Sequence, residues 1–296
     1  MTDVADNTRT WRVLELVNWT TNYLREKGFS SPRSDVEWLL CSVCQCSRVD
    51  LYTDFEKPLT RQELSEFKSL LTQRLKHKPV QYIIGETEFM GMPFRVNEHV
   101  LIPRPETELL VEHAVDWLRQ RTEDRLTVLD IGTGSGCIAV SIGALVPKAT
   151  VTAIDVSGEA LKVAEENAHR NKVEERVHFL RKNILEEAPT DGPYHLIVSN
   201  PPYVGEEEFS TLDKAIRDYE PAEALVAENG LLFFRRFAAS AKQWLESQGL
   251  LLVEIGGTHQ VPAVTELFEN AGWKDITIAR DYNNQGRILQ AHPYPQ

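Results

Sequence analysis

Long apolar runs are missing from this chain: nowhere in its 296 residues is there a stretch near the about 18 apolar positions that a membrane-spanning helix needs. An integral helical membrane protein is therefore excluded. Cysteine is scarce, at four residues, which fits a reducing compartment. Cys41, Cys44 and Cys46 crowd into WLLCSVCQC, but they lack the paired CxxC knuckles of a tetrahedral zinc site, and no matching Cys/His pair follows nearby. They read as small, half-buried residues of one helix. The opening segment MTDVADNTRTW lacks the basic stretch and apolar core of a secretory signal, so the expected location is cytoplasmic. Internal repeats and low-complexity tracts are absent too.

Positive charge is also in short supply. The net charge is −12, and it is uneven: residues 1–84 carry 12 Lys/Arg against 11 Asp/Glu, whereas residues 85–296 carry 20 against 33. An acidic surface repels phosphate backbones, which disfavours nucleic acid as the main substrate. The one basic stretch, Arg61 to Lys78 with Arg74, Lys76 and Lys78, reads as a solvated helix end.

What is present divides into three parts. Residues 1–80 carry only helical periodicity, as in Val13, Leu14, Leu16, Val17 and Leu24, and predict a small helical bundle. Within it, Thr60 followed by Glu63 predicts a capping box. Residues 81–103 turn extended around Gly91 and Pro93, a β-hairpin joining two domains. From 104 to 296 an amphipathic helix, Glu106 to Leu118, precedes strands alternating with helices: TVLDIG, TVTAID, VHFLRK, YHLIVSN and GLLLVEIG. That alternation predicts an α/β, Rossmann-like doubly wound parallel sheet. Two further strands are expected about a turn at Tyr282–Gly286.

Two motifs carry chemistry. The first strand runs into Gly132-Thr133-Gly134-Ser135-Gly136, and Asp155 ends the next strand. Glycines let backbone approach a ligand, and a carboxylate there suits ribose hydroxyls, so a nucleoside cofactor is expected. The G-x-G-x-G spacing departs from the dinucleotide fingerprint and favours S-adenosylmethionine over NAD. The second motif, Asn200-Pro201-Pro202-Tyr203, directly follows YHLIVSN, at the strand end where open sheets bind ligands. The Asn200 side-chain oxygen and the Pro201 carbonyl can each accept one N–H of a planar amide or amino group, and Tyr203 can stack on it. His195, inside the apolar strand, reads as structural, and no residue is marked as a general base.

With GTGSG, NPPY, QYIIGETEFMGMPFRVNEHVLIPRPETELLVE, RDYEPAEAL, ENGLLFFRRF and LLVEIG in order, the sequence closely resembles the HemK/PrmC family of protein-(glutamine-N5) methyltransferases nearly end to end. The resemblance implies a class I S-adenosylmethionine-dependent methyltransferase that modifies the Gly-Gly-Gln glutamine of class I peptide chain release factors. It implies cofactor contacts from Gly132, Thr133, Gly134, Ser135, Gly136, Asp155 and Asn200, and acceptor contacts from Asn200, Pro201, Pro202 and Tyr203. Phe89, Arg104, Pro105, Glu106 and Thr107 match the segment that borders the cofactor and the entering glutamine. Asn183 stands where the family usually has Asp, facing the adenine amino group, and Ile184 beside it gives an apolar wall. The N-terminal helices resemble the family's release-factor-docking domain. N6-adenine methylation of DNA or RNA is the alternative, since an exocyclic amino group offers NPPY the same two N–H donors.

Overall fold

The computed structural model describes residues 10–295, which separate into two compact units, one ending at Ile84 and one beginning at Gly85. The first is all helical: α1 (Val13–Glu26), α2 (Pro32–Cys44), α3 (Arg48–Thr53), α4 (Arg61–Arg74) and α5 (Val80–Ile84). Apolar residues at helical spacing, among them Leu16, Leu24, Leu39, Leu40, Phe67 and Leu71, bury together as its core. Thr60 caps α4 as expected, accepting from the Glu63 amide while Glu63 accepts from the Thr60 amide. Gln45 ends α2 in the left-handed region, so Cys46 lies beyond the helix expected to contain all three cysteines. Arg74 departs from the solvated helix end expected of this stretch. It is buried, pairs with Asp35 at 2.8 Å and lies over the Phe29 ring.

The second unit opens with the antiparallel hairpin β1 (Glu86–Phe89) and β2 (Met92–Arg95), then α6 (Pro105–Arg119). Next come β3 (Leu126–Ile131), α7 (Cys137–Leu145), β4 (Ala149–Asp155), α8 (Gly158–Arg170), β5 (Val177–Arg181) and β6 (Tyr194–Ser199). Two single-turn helices, α9 (Glu206–Phe209) and α10 (Lys214–Arg217), precede α11 (Leu232–Ser240), β7 (Leu245–Glu254), α12 (Val261–Asn270), β8 (Lys274–Arg280) and β9 (Gly286–His292). The seven strands from β3 onward form one sheet in the order β5-β4-β3-β6-β7-β9-β8, parallel except for β9, which runs antiparallel to both neighbours.

The apolar strand runs follow from burial on both faces. Successive residues alternate between two cores, so that Val128, Leu196, Val198 and Leu252 face α6 and α7, while Leu129, Ile131, Ile197 and Val253 face α11 and α12. The hairpin is fastened to this unit through Asn167 on α8, which exchanges hydrogen bonds with the Arg95 backbone at 2.7 and 3.0 Å. The order also fixes where a ligand can sit. The chain leaves β3 toward β4 on one side and returns to β6 on the other, so a crevice opens between the carboxyl ends of β3 and β6.

Candidate active site at the strand switch point

Both sequence motifs end at that crevice. The turn after β3 is anchored by Gly132 and Thr133 amides donating to the Ile154 carbonyl, at 2.9 and 3.1 Å. Gly132 and Gly134 adopt positive φ, and a side chain at either would point into open space, so the backbone itself forms the wall. Gly136 is glycine for another reason. A Cβ there would lie 3.0 Å from Ala164 Cβ, so its absence lets α7 start against α8.

Asp155 at the end of β4 closes the floor. Its Oδ2 accepts from the Gly134 amide and its Oδ1 from the Ser157 amide, both at 2.9 Å, which locks the carboxylate on the cavity wall. Burial nonetheless raises its pKa above the usual carboxylate value. Asn183 and Ile184, after β5, line the same cavity. Asn183 Oδ1 accepts from the Leu185 amide at 3.1 Å, so the end of the amide free of local bonds is Nδ2, a donor, whereas the adenine amino group expected to face it calls for an acceptor.

Opposite the glycine turn, Ser199 donates to the Ile131 carbonyl at 2.7 Å and ties the end of β6 to the end of β3. Asn200, Pro201 and Pro202 then line the cavity together with Gly132, Thr133, Gly134, Ser135 and Asp155. Asn200 Nδ2 donates to Thr107 Oγ1 at 3.0 Å. The loop's exit is braced by Gln260, which donates to the Tyr203 carbonyl at 2.8 Å and accepts from the Gly256 amide at 2.9 Å.

Three expected contacts, Tyr203, Phe89 and Gly136, lie off the cavity wall, and a fourth, Arg104, lies on it with its guanidinium bonded to a neighbour. Tyr203 is off the cavity wall; it faces the buried carboxylate of Glu254, and burial with that charge raises its phenol well above the ordinary value. Phe89 is a core residue, packed edge-on to Phe94 at 5.9 Å, because the hairpin turns its apolar face onto the sheet layer. Gly136 serves helix packing. Arg104 does border the cavity, but its guanidinium is bonded to Glu220 at 2.6 Å, and Glu220 also accepts from the Ile102 amide. That pair fastens the segment before α6 to the segment after α10. His195 is half-buried and accepts from the Thr127 amide through Nδ1, which fits the structural role expected of it.

Within the second unit, sequence reasoning passed over three buried acids: Asp130, Glu220 and Glu254. Asp130 lies beneath the glycine turn, accepting from Thr133 Oγ1 at 2.6 Å, and burial pushes its pKa up to about 7. Glu254, the last residue of β7, is likewise pushed by burial up to about 7. The visible signal was a lone acid near the carboxyl end of an apolar parallel strand, in VLDIG and again in LLVEIG, where a charge is costly without a purpose.

A nucleoside-type glycine turn and an Asn-Pro-Pro loop at one switch point define a methyltransferase, and residues 105–234 match the methyltransferase small domain while residues 15–85 match the PrmC N-terminal domain. The chain is 41% identical over 287 residues to the release factor glutamine methyltransferase of Chlorobaculum tepidum, covering 95% of this chain and 97% of that one. With the release factor glutamine methyltransferase of Geobacter sulfurreducens it shares 38% identity over 280 residues, 94% and 96% of the two chains. It belongs to the release factor glutamine methyltransferase family. Among solved structures, the hMettl16 catalytic domain in complex with MAT2A 3'UTR hairpin 6 shares the fold, with TM-score 0.56 and 17% identity over 69% of this chain and 76% of that one. Among the described residues no helix is long and apolar enough to cross a membrane.

Proposed function

We propose that this chain transfers the methyl group of S-adenosyl-L-methionine to the N5 side-chain amide nitrogen of the Gly-Gly-Gln glutamine in class I peptide chain release factors, acting in the cytoplasm. One observation carries the reading: Asn200, Pro201 and Pro202 share a cavity with Gly132 to Ser135 and Asp155, so an amide-holding loop faces a nucleoside-holding turn. The names of the relatives support the choice of substrate.

The residues present suit the cofactor. The side-chain-free backbone at Gly132 and Gly134 leaves room for a close ligand, and Asp155 offers an acceptor-only carboxylate to ribose hydroxyls. Asn183 and Ile184 offer a polar contact and an apolar wall to a base. When bound, the cofactor supplies a methyl group activated by its sulfonium charge.

The chain's own task is to hold a poor nucleophile. An amide nitrogen has a delocalised lone pair, and it gains positive charge as it is methylated. Because Asn200 Nδ2 is committed to Thr107, the Asn200 Oδ1 is the end that can accept one N–H of the glutamine, and the Pro201 carbonyl accepts the other. Two acceptors fix the amide plane, and such alignment can supply several kcal/mol of the roughly 8–23 kcal/mol by which enzymes lower barriers. The helical unit up to Ile84 is assigned to recognising the release factor. Incubating a purified release factor with enzyme and cofactor, followed by tandem mass spectrometry, tests the reading. A methyl group on the Gly-Gly-Gln glutamine is expected, and it should vanish with Asn200→Ala while cofactor affinity stays within a few-fold. Activity retained in Asn200→Ala, or methylated DNA with an unmodified release factor, would overturn it.

A further inference from the structure

The strongest unexplained feature of the pocket wall is a buried chain of polar groups behind Asn200. Asn200 Nδ2 donates to Thr107 Oγ1 at 3.0 Å, and Thr107 Oγ1 donates to Glu254 Oε2 at 2.7 Å. Thr107 is 2% exposed and Glu254 is 1% exposed. The three residues come from three elements: the end of β6, the first turn of α6 and the end of β7. The Ser199–Val253 pairing of the parallel strands β6 and β7 sets Asn200 and Glu254 at the same level of the sheet.

A hydroxyl has one hydrogen. Once the Glu254 carboxylate takes it, the Thr107 oxygen is left only as an acceptor, and it can satisfy only the amino end of Asn200. An asparagine without that partner can turn its amide over and present N–H donors to the N–H donors of the substrate. We propose that Thr107 and Glu254 are positioning residues that dictate which end of the Asn200 amide faces the acceptor, Glu254 acting through Thr107. Thr107 does this in place of capping α6, whose N-cap is Arg104 and whose start receives no side-chain cap bond. Burying a carboxyl group this deeply is expensive, and its retention calls for a role other than stability.

The inference rests on Asn200 being the residue that holds the amide, and the tests separate the two. Three variants of the full chain are compared by steady-state methylation of a release factor and by calorimetric binding of S-adenosylmethionine. Thr107→Val keeps the shape and loses the hydroxyl, and kcat should fall tenfold or more with cofactor affinity within about threefold of the parent, since small misplacements at a reacting centre carry such costs. Thr107→Ser restores the hydroxyl without the methyl and should recover most of kcat. Glu254→Met removes the acceptor while keeping an apolar chain of similar length, and should lower kcat in the same way. A packing role would give the opposite order, with Val active and Ser impaired, and would overturn the proposal, as would parental kcat in Glu254→Met should the valine variant fail to fold. If Asn200→Ala itself stays active, the amide-holding reading fails first; if Asn200→Ala is dead while Thr107→Val is active, only the positioning chain is lost.

Discussion

The buried acid under the glycine turn should leave its mark on stability. Asp130 is fully buried, it receives the Thr133 hydroxyl at Oδ2, and burial is the largest cause of its elevated pKa. A rise from 3.8 in the unfolded chain to about 7 in the folded one means that the native state holds a proton the unfolded state has lost. The associated stability is fully present below pH 4 and disappears as pH rises through about 7. Three decades of proton affinity correspond to about 4 kcal/mol. Asp130→Asn keeps an oxygen for Thr133 and removes the charge, at the cost of placing an NH2 group in the same interior. It should therefore be neutral or mildly destabilising at pH 5, yet about 1–3 kcal/mol more stable than the parent at pH 8.5. Calorimetric Tm values for parent and variant across this range give the difference directly, and the raised pKa of Glu254 cancels from it. A difference that does not change between pH 5 and 8.5 would refute the reasoning, because the carboxyl would then not titrate in the folded protein.

Gly136→Ala should lose about 2 kcal/mol or more in thermal melts, since its Cβ meets Ala164 at 3.0 Å with φ at +79°, whereas Gly134→Ala, with φ at +54° but no atom within 4 Å, should lose about 1 kcal/mol from backbone strain and also weaken cofactor binding. Glu220→Gln weakens the partner of Arg104 and should lower stability by about 1–3 kcal/mol, with faster proteolysis of the 205–227 segment as the readout. In the helical unit, burial opposes the Glu37 charge but bonds from Tyr52, Arg33 and Arg48 outweigh it and lower its pKa, so its contribution is present above the unfolded carboxylate pKa and lost on acidification. Glu37→Gln should speed hydrogen exchange in α2 and α3 at pH 7 and change it little at pH 3. Asn183→Asp keeps an oxygen for the Leu185 amide and adds a second acceptor for the adenine amino group, and is expected to tighten S-adenosylmethionine binding several-fold by calorimetry.

The parts visible in the sequence and those hidden from it differ in a physical way. Strand runs such as TVLDIG and LLLVEIG, the helix 106–118 and the Thr60–Glu63 box were legible because each is fixed within a few residues by periodicity or capping chemistry. The glycine turn and Asn200-Pro201-Pro202 were legible as two segments that directly follow strands, and the sheet brings both to one cavity. Tyr203 and Phe89 lie off the cavity because tertiary packing turns them to Glu254 and to the Phe94 face of the hairpin, and Arg104 stays on the wall but spends its guanidinium on Glu220, 116 residues away. The same holds for the Thr107 hydroxyl, which looks like a helix-start residue until β7 brings Glu254 to it across 147 positions. Local patterns thus locate the turn and the loop that meet at the cavity. The groups that orient their atoms are supplied by the sheet, which sets β6 beside β7 and so places an acid behind an asparagine that no short window of sequence connects to it.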